Sequence, residues 1–174
     1  MNESIKVIVF PIANYLFALP MTAILKVSHC PPLVGENLSE IGLVHLENRT
    51  ITLLNLHQKL TAARQSLAGK KFKKVPETSG QFLILTQASR GEVCGIPIDK
   101  LPDMMDLPLG TIELLPESYQ QTNLLGLANY VAVLQSEEKK LAIFLLDLEQ
   151  ALNLATINAH NFLRGTETRL LIGE

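Results

Sequence analysis

Short apolar runs bounded by turn-forming residues dominate the chain. The first spans Ile5 to Ile12, breaks at Ala13-Asn14 and resumes from Tyr15 to Leu19. Two runs of strand length around a tight break predict a β-hairpin. The pattern returns from Gln81 to Thr86, a turn at Ser89-Arg90-Gly91, and Val93 to Ile98. The second strands share a signature. Ala18-Leu19-Pro20-Met21 precedes Ile24 and Val27, as Gly95-Ile96-Pro97-Ile98 precedes Leu101 and Met104. Proline has no N–H to donate, so pairing is expected to end there and the chain to enter a short helical or turn-like step.

Two further segments repeat in the same order. Gly42-Leu43-Val44-His45-Leu46 is matched by Gly126-Leu127-Ala128-Asn129-Tyr130, and Leu53 to Leu60 by Leu145 to Leu152. The spacing grows from 77 positions (Pro20 to Pro97) through 84 (Gly42 to Gly126) to 92 (Leu53 to Leu145), as loop insertions would produce. Three weak matches in one order predict two copies of a single β unit.

Each copy ends in a helix signal. Asn55 and Asp147 are suited to N-cap positions, with Gln58 and Gln150 three residues on. Leu56, Leu60, Ala63 and Leu67 then share one helical face, as do Leu148, Leu152, Ala155 and Ala159. Gly69 reads as a stop, and Lys70 to Gly80 as a charged linker between the halves. Asn158 to Glu174 follows no pattern beyond the apolar trio Leu170-Leu171-Ile172.

Composition narrows the function. Apolar residues make up 47% of 174 residues and charged ones 18%, a globular balance that suffices for a core without staples. There is no Trp and only 5% aromatic content, which suits aliphatic packing and not base-stacking platforms. The formal net charge of −2 leaves no basic footprint for nucleic acid; the one basic cluster is Lys70, Lys71, Lys73 and Lys74. Val7 to Ile24 is nearly uncharged and approaches membrane-span length. Pro11, Pro20, the turn at Ala13-Asn14 and the recurrence of the pattern argue for strands and against membrane insertion. Cys30 and Cys94 show no paired spacing and read as reduced thiols of a cytoplasmic protein.

Catalytic patterns are missing. The sequence has no Walker A or Rossmann glycine loop, no HExxH and no GxSxG. His29, Cys30, His45 and His57 fit no metal-ligand spacing, and His45 reads as a strand residue. Asp99, Asp103 and Asp106 read as a loop beside the second unit, and Glu137-Glu138 as a hairpin turn. No pocket that would separate paired carboxylate pKa values is legible, so no enzyme and no cofactor are expected.

The segment Gly42 to Leu60 resembles the signature of the CheW family of chemosensory coupling proteins. That signature reads Gly, two apolar residues, Asn-Leu-Arg-Gly, several apolar residues, Pro, then Asp-Leu. Gly42, Leu43, Val44, His45, Leu46, Glu47, Asn48, Ile51, Leu53, Leu54, Asn55 and Leu56 occupy those places. Tyr15 to Pro20, Gly95 to Asp99 and Leu145 to Leu148 extend the resemblance over roughly residues 4 to 155. It implies a mainly β fold: one domain over residues 1–174 made of two tandem SH3-like five-stranded β-barrels, each followed by short helices. One barrel is expected over about residues 1–70 with parts of the C-terminal region, and the other over 80–155.

The implied partners are a chemoreceptor cytoplasmic tip and a histidine kinase regulatory domain, with self-association in arrays left open. The implied partner-binding residues are Lys26, Val27, Gly42, Leu43, Val44, His45, Leu46, Glu47, Asn48, Arg49 and Leu56. The departures are informative. Glu47 stands for the family Arg, Asn48 for Gly, Thr52 for Pro, Asn55 for Asp, and Lys26 for a residue that is often acidic. The two reversals of charge predict that Lys26 and Glu47 face each other. They also leave open a divergent binding module of a pilus-linked or other system, without the usual coupling.

Overall fold

The computed structural model describes residues 3–31, 41–60, 80–116 and 127–152. Within them the chain forms eleven strands: β1 Ser4–Ile12, β2 Tyr15–Pro20, β3 Ile24–His29, β4 Ile41–Leu46, β5 Arg49–Leu54, β6 Phe82–Gln87, β7 Val93–Ile98, β8 Asp103–Pro108, β9 Ile112–Leu114, β10 Ala128–Gln135 and β11 Lys140–Leu146. The β1–β2 hairpin turns where expected, with Ala13 at φ 54°. The β6–β7 turn is fixed by Gly91 N–H donating to the Ala88 carbonyl at 2.9 Å, with Gly91 at φ 86°, a conformation natural to glycine. Ser136 and Lys139 close the β10–β11 turn around Glu137-Glu138 through reciprocal backbone bonds.

Two sheets result. One has six strands in the order β8-β1-β2-β11-β10-β9, the other five in the order β3-β6-β7-β5-β4. Setting β9 aside, the two orders coincide when β1, β2, β3, β4 and β5 are matched to β6, β7, β8, β10 and β11. The residue registers agree with that match. Val27 on β3 faces Ile84 on β6, as Met104 on β8 faces Ile8 on β1. Leu53 pairs with Gly95 in parallel, as Leu145 pairs with Ala18. The repeat is therefore present in space, and the structure is mainly β with two barrel-like units.

Its assembly departs from a division at Lys70 to Gly80. β6 and β7, placed by the sequence with the second half, hydrogen-bond to β3 and β5 of the first. β1 and β2 pair with β8 and β11. Each copy has exchanged its first hairpin with the other. At the end of β2, Pro20 makes the last ladder pair and the 3-10 turn Met21–Ala23 leads into β3 in the other sheet, a crossing that β7 to β8 repeats. At the matching place Pro97 does not end its strand: it pairs with Leu83 inside β7. Proline is tolerated there because β5 pairs with β7 only at Cys94 and Gly95, so no donor is required further along that side.

Alternation sorts the strand residues into three cores. Val7, Val9, Ala18, Leu107, Ala132 and Ile143 fill the six-stranded unit. Val44, Ile51, Leu53, Leu83 and Leu85 fill the five-stranded one. The largest core joins the two, with Phe10 and Phe17 fully buried and Phe17 and Phe144 6.1 Å apart between centroids. Full burial of one such ring contributes about 1.5–3 kcal/mol. The helical turns at 56–60 and 148–152 complete this core with Leu56, Leu60, Leu148 and Leu152. Both are capped as expected. Gln58 N–H donates to Asn55 Oδ1 at 3.2 Å, and Gln150 N–H to Asp147 Oδ1 at 3.0 Å. Lys59 Nζ donates to the Ala151 carbonyl at 2.6 Å, tying the two turns together at equivalent positions. The expectations for Ala63, Leu67, Gly69, the Lys70 cluster, Gly126, Ala155, Ala159 and Leu170 to Ile172 lie outside the described residues.

Candidate functional site

The surface singled out by the sequence is the β4–β5 hairpin. Its ladder runs from Ile41↔Leu54 to Leu46↔Arg49, leaving Glu47-Asn48 as a two-residue loop. Both loop residues have positive φ, 48° at Glu47 and 66° at Asn48. That matches the I′ turn whose twist suits antiparallel strands. Asn48 adopts this region readily, whereas a glutamate there is held against its own preference. A contact from outside the turn reaches it. Lys26 Nζ donates to Glu47 Oε1 at 2.6 Å, from β3 on the opposite edge of the sheet. This hydrogen bond and the lysine charge bring the Glu47 carboxyl below its ordinary pKa, with Arg49 adding a smaller pull.

Pleating divides the remaining candidates. Leu43 is 62% exposed, and His45 projects to solvent with its Nδ1 3.1 Å from Thr50 Oγ1 across the strand pair. Arg49 and Asn48 are exposed, Leu46 is half-buried, and Val27 is exposed on β3 beside Leu25. Val44 and Leu56 instead lie in the core, and Gly42 is buried. These three are buried within the fold, Leu56 in the helical turn that follows the hairpin. A one-residue step in a strand inverts the facing of a side chain, which a motif match does not register. Leu25 is a residue the motif missed. A register shift between Ile24 and Lys26 puts it on the outside at 53% exposure.

The other sequence candidates lie apart. His29 packs against Phe82 with centroids 5.4 Å apart, and His57 Nε2 comes within 3.4 Å of Asp99 Oδ2. Among the described residues no group of three or more His, Cys, Asp or Glu is arranged to hold a metal ion. Asp103 and Asp106 are on strand β8 and not in a loop, because Met105 and Leu107 between and beside them pack into the six-stranded unit. Asp106 pairs loosely with Lys6 at 3.7 Å. Burial pushes the Cys94 thiol up to about 12 and raises that of Cys30, with no disulfide between them. Among the described residues no helix is long and apolar enough to cross a membrane.

Where the two sheets meet, a cleft of about 290 Å³ opens between Pro20 and Ala23 on one side and Tyr130, Leu145 and Asp147 on the other. Its walls are mainly aliphatic, and Asn129 donates to Asp147 Oδ2 at 3.1 Å near its rim.

No curated protein matches the chain. Among solved structures, it is similar to the scaffolding protein TtCheW from Thermoanaerobacter tengcongensis. The TM-score is 0.61 at 17% identity, over 84% of this chain and 90% of that one, which is a likeness of fold. The CheW-like domain model matches residues 6–156, across both sheets and both capped helical turns, and the chain belongs to that family.

Proposed function

We propose that the protein is a non-enzymatic cytoplasmic adaptor that couples the tip of a chemoreceptor to the regulatory domain of a CheA-type histidine kinase. The family match over residues 6–156 carries this reading, since it spans the whole two-sheet unit and not one barrel alone. The geometry supports it. Among the described residues β3 and β4 are the edge strands of their sheet and carry exposed Leu25, Val27 and Leu43, and edge strands with aliphatic side chains bind proteins. Charges around such a patch select the partner more than they strengthen it. The direct test is co-purification with a kinase regulatory domain and a receptor tip. Both are expected to be retained, and Leu43→Asp is expected to lose one of them while its circular dichroism stays that of the parent. Retention of neither partner would remove the adaptor reading.

A second reading rests on the Glu47-Asn48 turn. The family resemblance places an arginine where Glu47 stands, and here that residue's charge is already engaged by Lys26. A module altered in this way fits a divergent signalling system, pilus-linked or other. Binding to the receptor tip without the kinase domain would favour it.

A further inference from the structure

β3 and β4 are the two edges of the five-stranded sheet and exchange no ladder bonds among the described residues, yet Lys26 on β3 reaches Glu47 in the β4–β5 turn. In the six-stranded sheet the edges are β8 and β9. There the 3-10 turn Leu109–Thr111 carries β8 directly into β9, which pairs with β10 on the far edge. Covalent continuity joins the two edges of that unit.

We propose that the Lys26–Glu47 pair is a clasp on the seam of the five-stranded unit, holding β3 against the β4–β5 hairpin and setting how Leu25, Val27 and Leu43 are presented to a partner. Three observations support it. The pair is the contact by which β3 reaches the hairpin turn, at 2.6 Å. It joins residues at opposite ends of the sheet order, so it fixes curl and not ladder register. It also holds Glu47 at φ 48°, a conformation the turn alone would give more readily to Asn or Gly. Both side chains are open to solvent, 43% exposed at Lys26 and 72% at Glu47, so the clasp responds to salt. Its consequence for docking rests on the adaptor reading; the seam itself does not.

Amide hydrogen exchange on the full chain, with no partner present, tests it. Glu47→Gln keeps the backbone preference of the turn and removes the charge. It is expected to speed exchange in β4, β5 and β3 about two- to fivefold at low salt, as the loss of an exposed ion pair allows. At 1 M NaCl, where screening acts within about 3 Å, wild type and variant are expected to converge. The exchanged pair Lys26→Glu/Glu47→Lys is expected to restore slow exchange. Lys6→Gln, which removes the looser Lys6–Asp106 pair at 3.7 Å, is expected to leave β3 to β5 unchanged. Wild-type rates in Glu47→Gln at low salt, or an equal acceleration in β1 and β2, would overturn the clasp. Neither outcome bears on whether the chain binds a receptor or a kinase.

Discussion

In the six-stranded unit, three residues of 3-10 turn join β8 to β9 and the seam is bridged by the chain itself. In the five-stranded unit, the exposed side chains of Lys26 and Glu47 reach from one edge strand to the turn beside the other. The strand orders are otherwise the same. The five-stranded unit carries the exposed Leu25, Val27 and Leu43 beside an ion pair that, being exposed itself, contributes little stability. Partner-binding surfaces are commonly drawn from the less stable parts of a fold, because they must reorganise.

The sharpest test of that asymmetry compares equivalent positions on the two edge strands. Leu107 on β8 is fully buried in the six-stranded unit, while Cys30, at the end of β3, is half-buried against the other core. Leu107→Ala is expected to cost about 2–5 kcal/mol in urea unfolding, as buried leucine truncations do. Cys30→Ala is expected to cost under about 1 kcal/mol, since little buried volume is lost. Equal losses would mean that the two edges are packed alike and that the contrast between the units is confined to the loops.

Much of this architecture was legible in the sequence, and the part that was not has a physical cause. The hairpins, both caps and the order of the repeat could be read because turn residues, alternation and Asn/Asp caps act within a few positions. The exchange of hairpins between sheets could not. Ile84 is as good a neighbour for Val27 as Ile8 is for Met104, and local pattern does not choose between them. β9 was also missed, being only Ile112-Glu113-Leu114. At the candidate site, the opposed charges of Lys26 and Glu47 were readable as a pair because two reversals coincide. The burial of Val44 and Leu56 was not, since a family motif mixes packing positions with surface ones.

The next test concerns the two 3-10 turns. The turn after β2 is held from outside: Thr86 on β6, fully buried, donates its hydroxyl to the Ala23 carbonyl at 2.7 Å. The turn after β8 is held from within, by Thr111 Oγ1 donating to the Pro108 carbonyl at 2.6 Å. Thr86→Val removes a partner in a buried setting and is expected to cost about 1–3 kcal/mol. Thr111→Val is expected to cost about 0.5–1.5 kcal/mol, because water can replace that bond. Urea unfolding of the two variants measures both. A larger loss at Thr111 would place the stronger joint in the six-stranded unit and reverse this part of the comparison.

The caps offer a contrast in which little difference is expected. Asn55 and Asp147 occupy equivalent positions and accept the same bond, from Gln58 and Gln150. Replacing either by alanine is expected to cost about 1 kcal/mol by thermal or urea unfolding. Asp147 also accepts from Asn129, but on an exposed rim where such a bond adds little. A cap effect much larger on one side would show that the helical turns, and not the seams, distinguish the two units.

The smallest effect lies at the clasp and is read through pH. The Glu47 carboxyl is held below its ordinary value of 4.5 by the hydrogen bond and charge of Lys26. A carboxyl depressed in the folded state stabilises fully above its unfolded pKa and loses that contribution as pH falls through the folded one. The Glu47 contribution is therefore complete at neutral pH, begins to fade near the ordinary carboxylate range and vanishes below it. The measurement is the difference in urea midpoint between wild type and Glu47→Gln from pH 7 to pH 3, at low salt. That difference is expected to be small at pH 7 and to shrink toward zero with acid. A difference that stays constant across the range would assign the variant's effect to the strained turn at φ 48° and not to the ion pair.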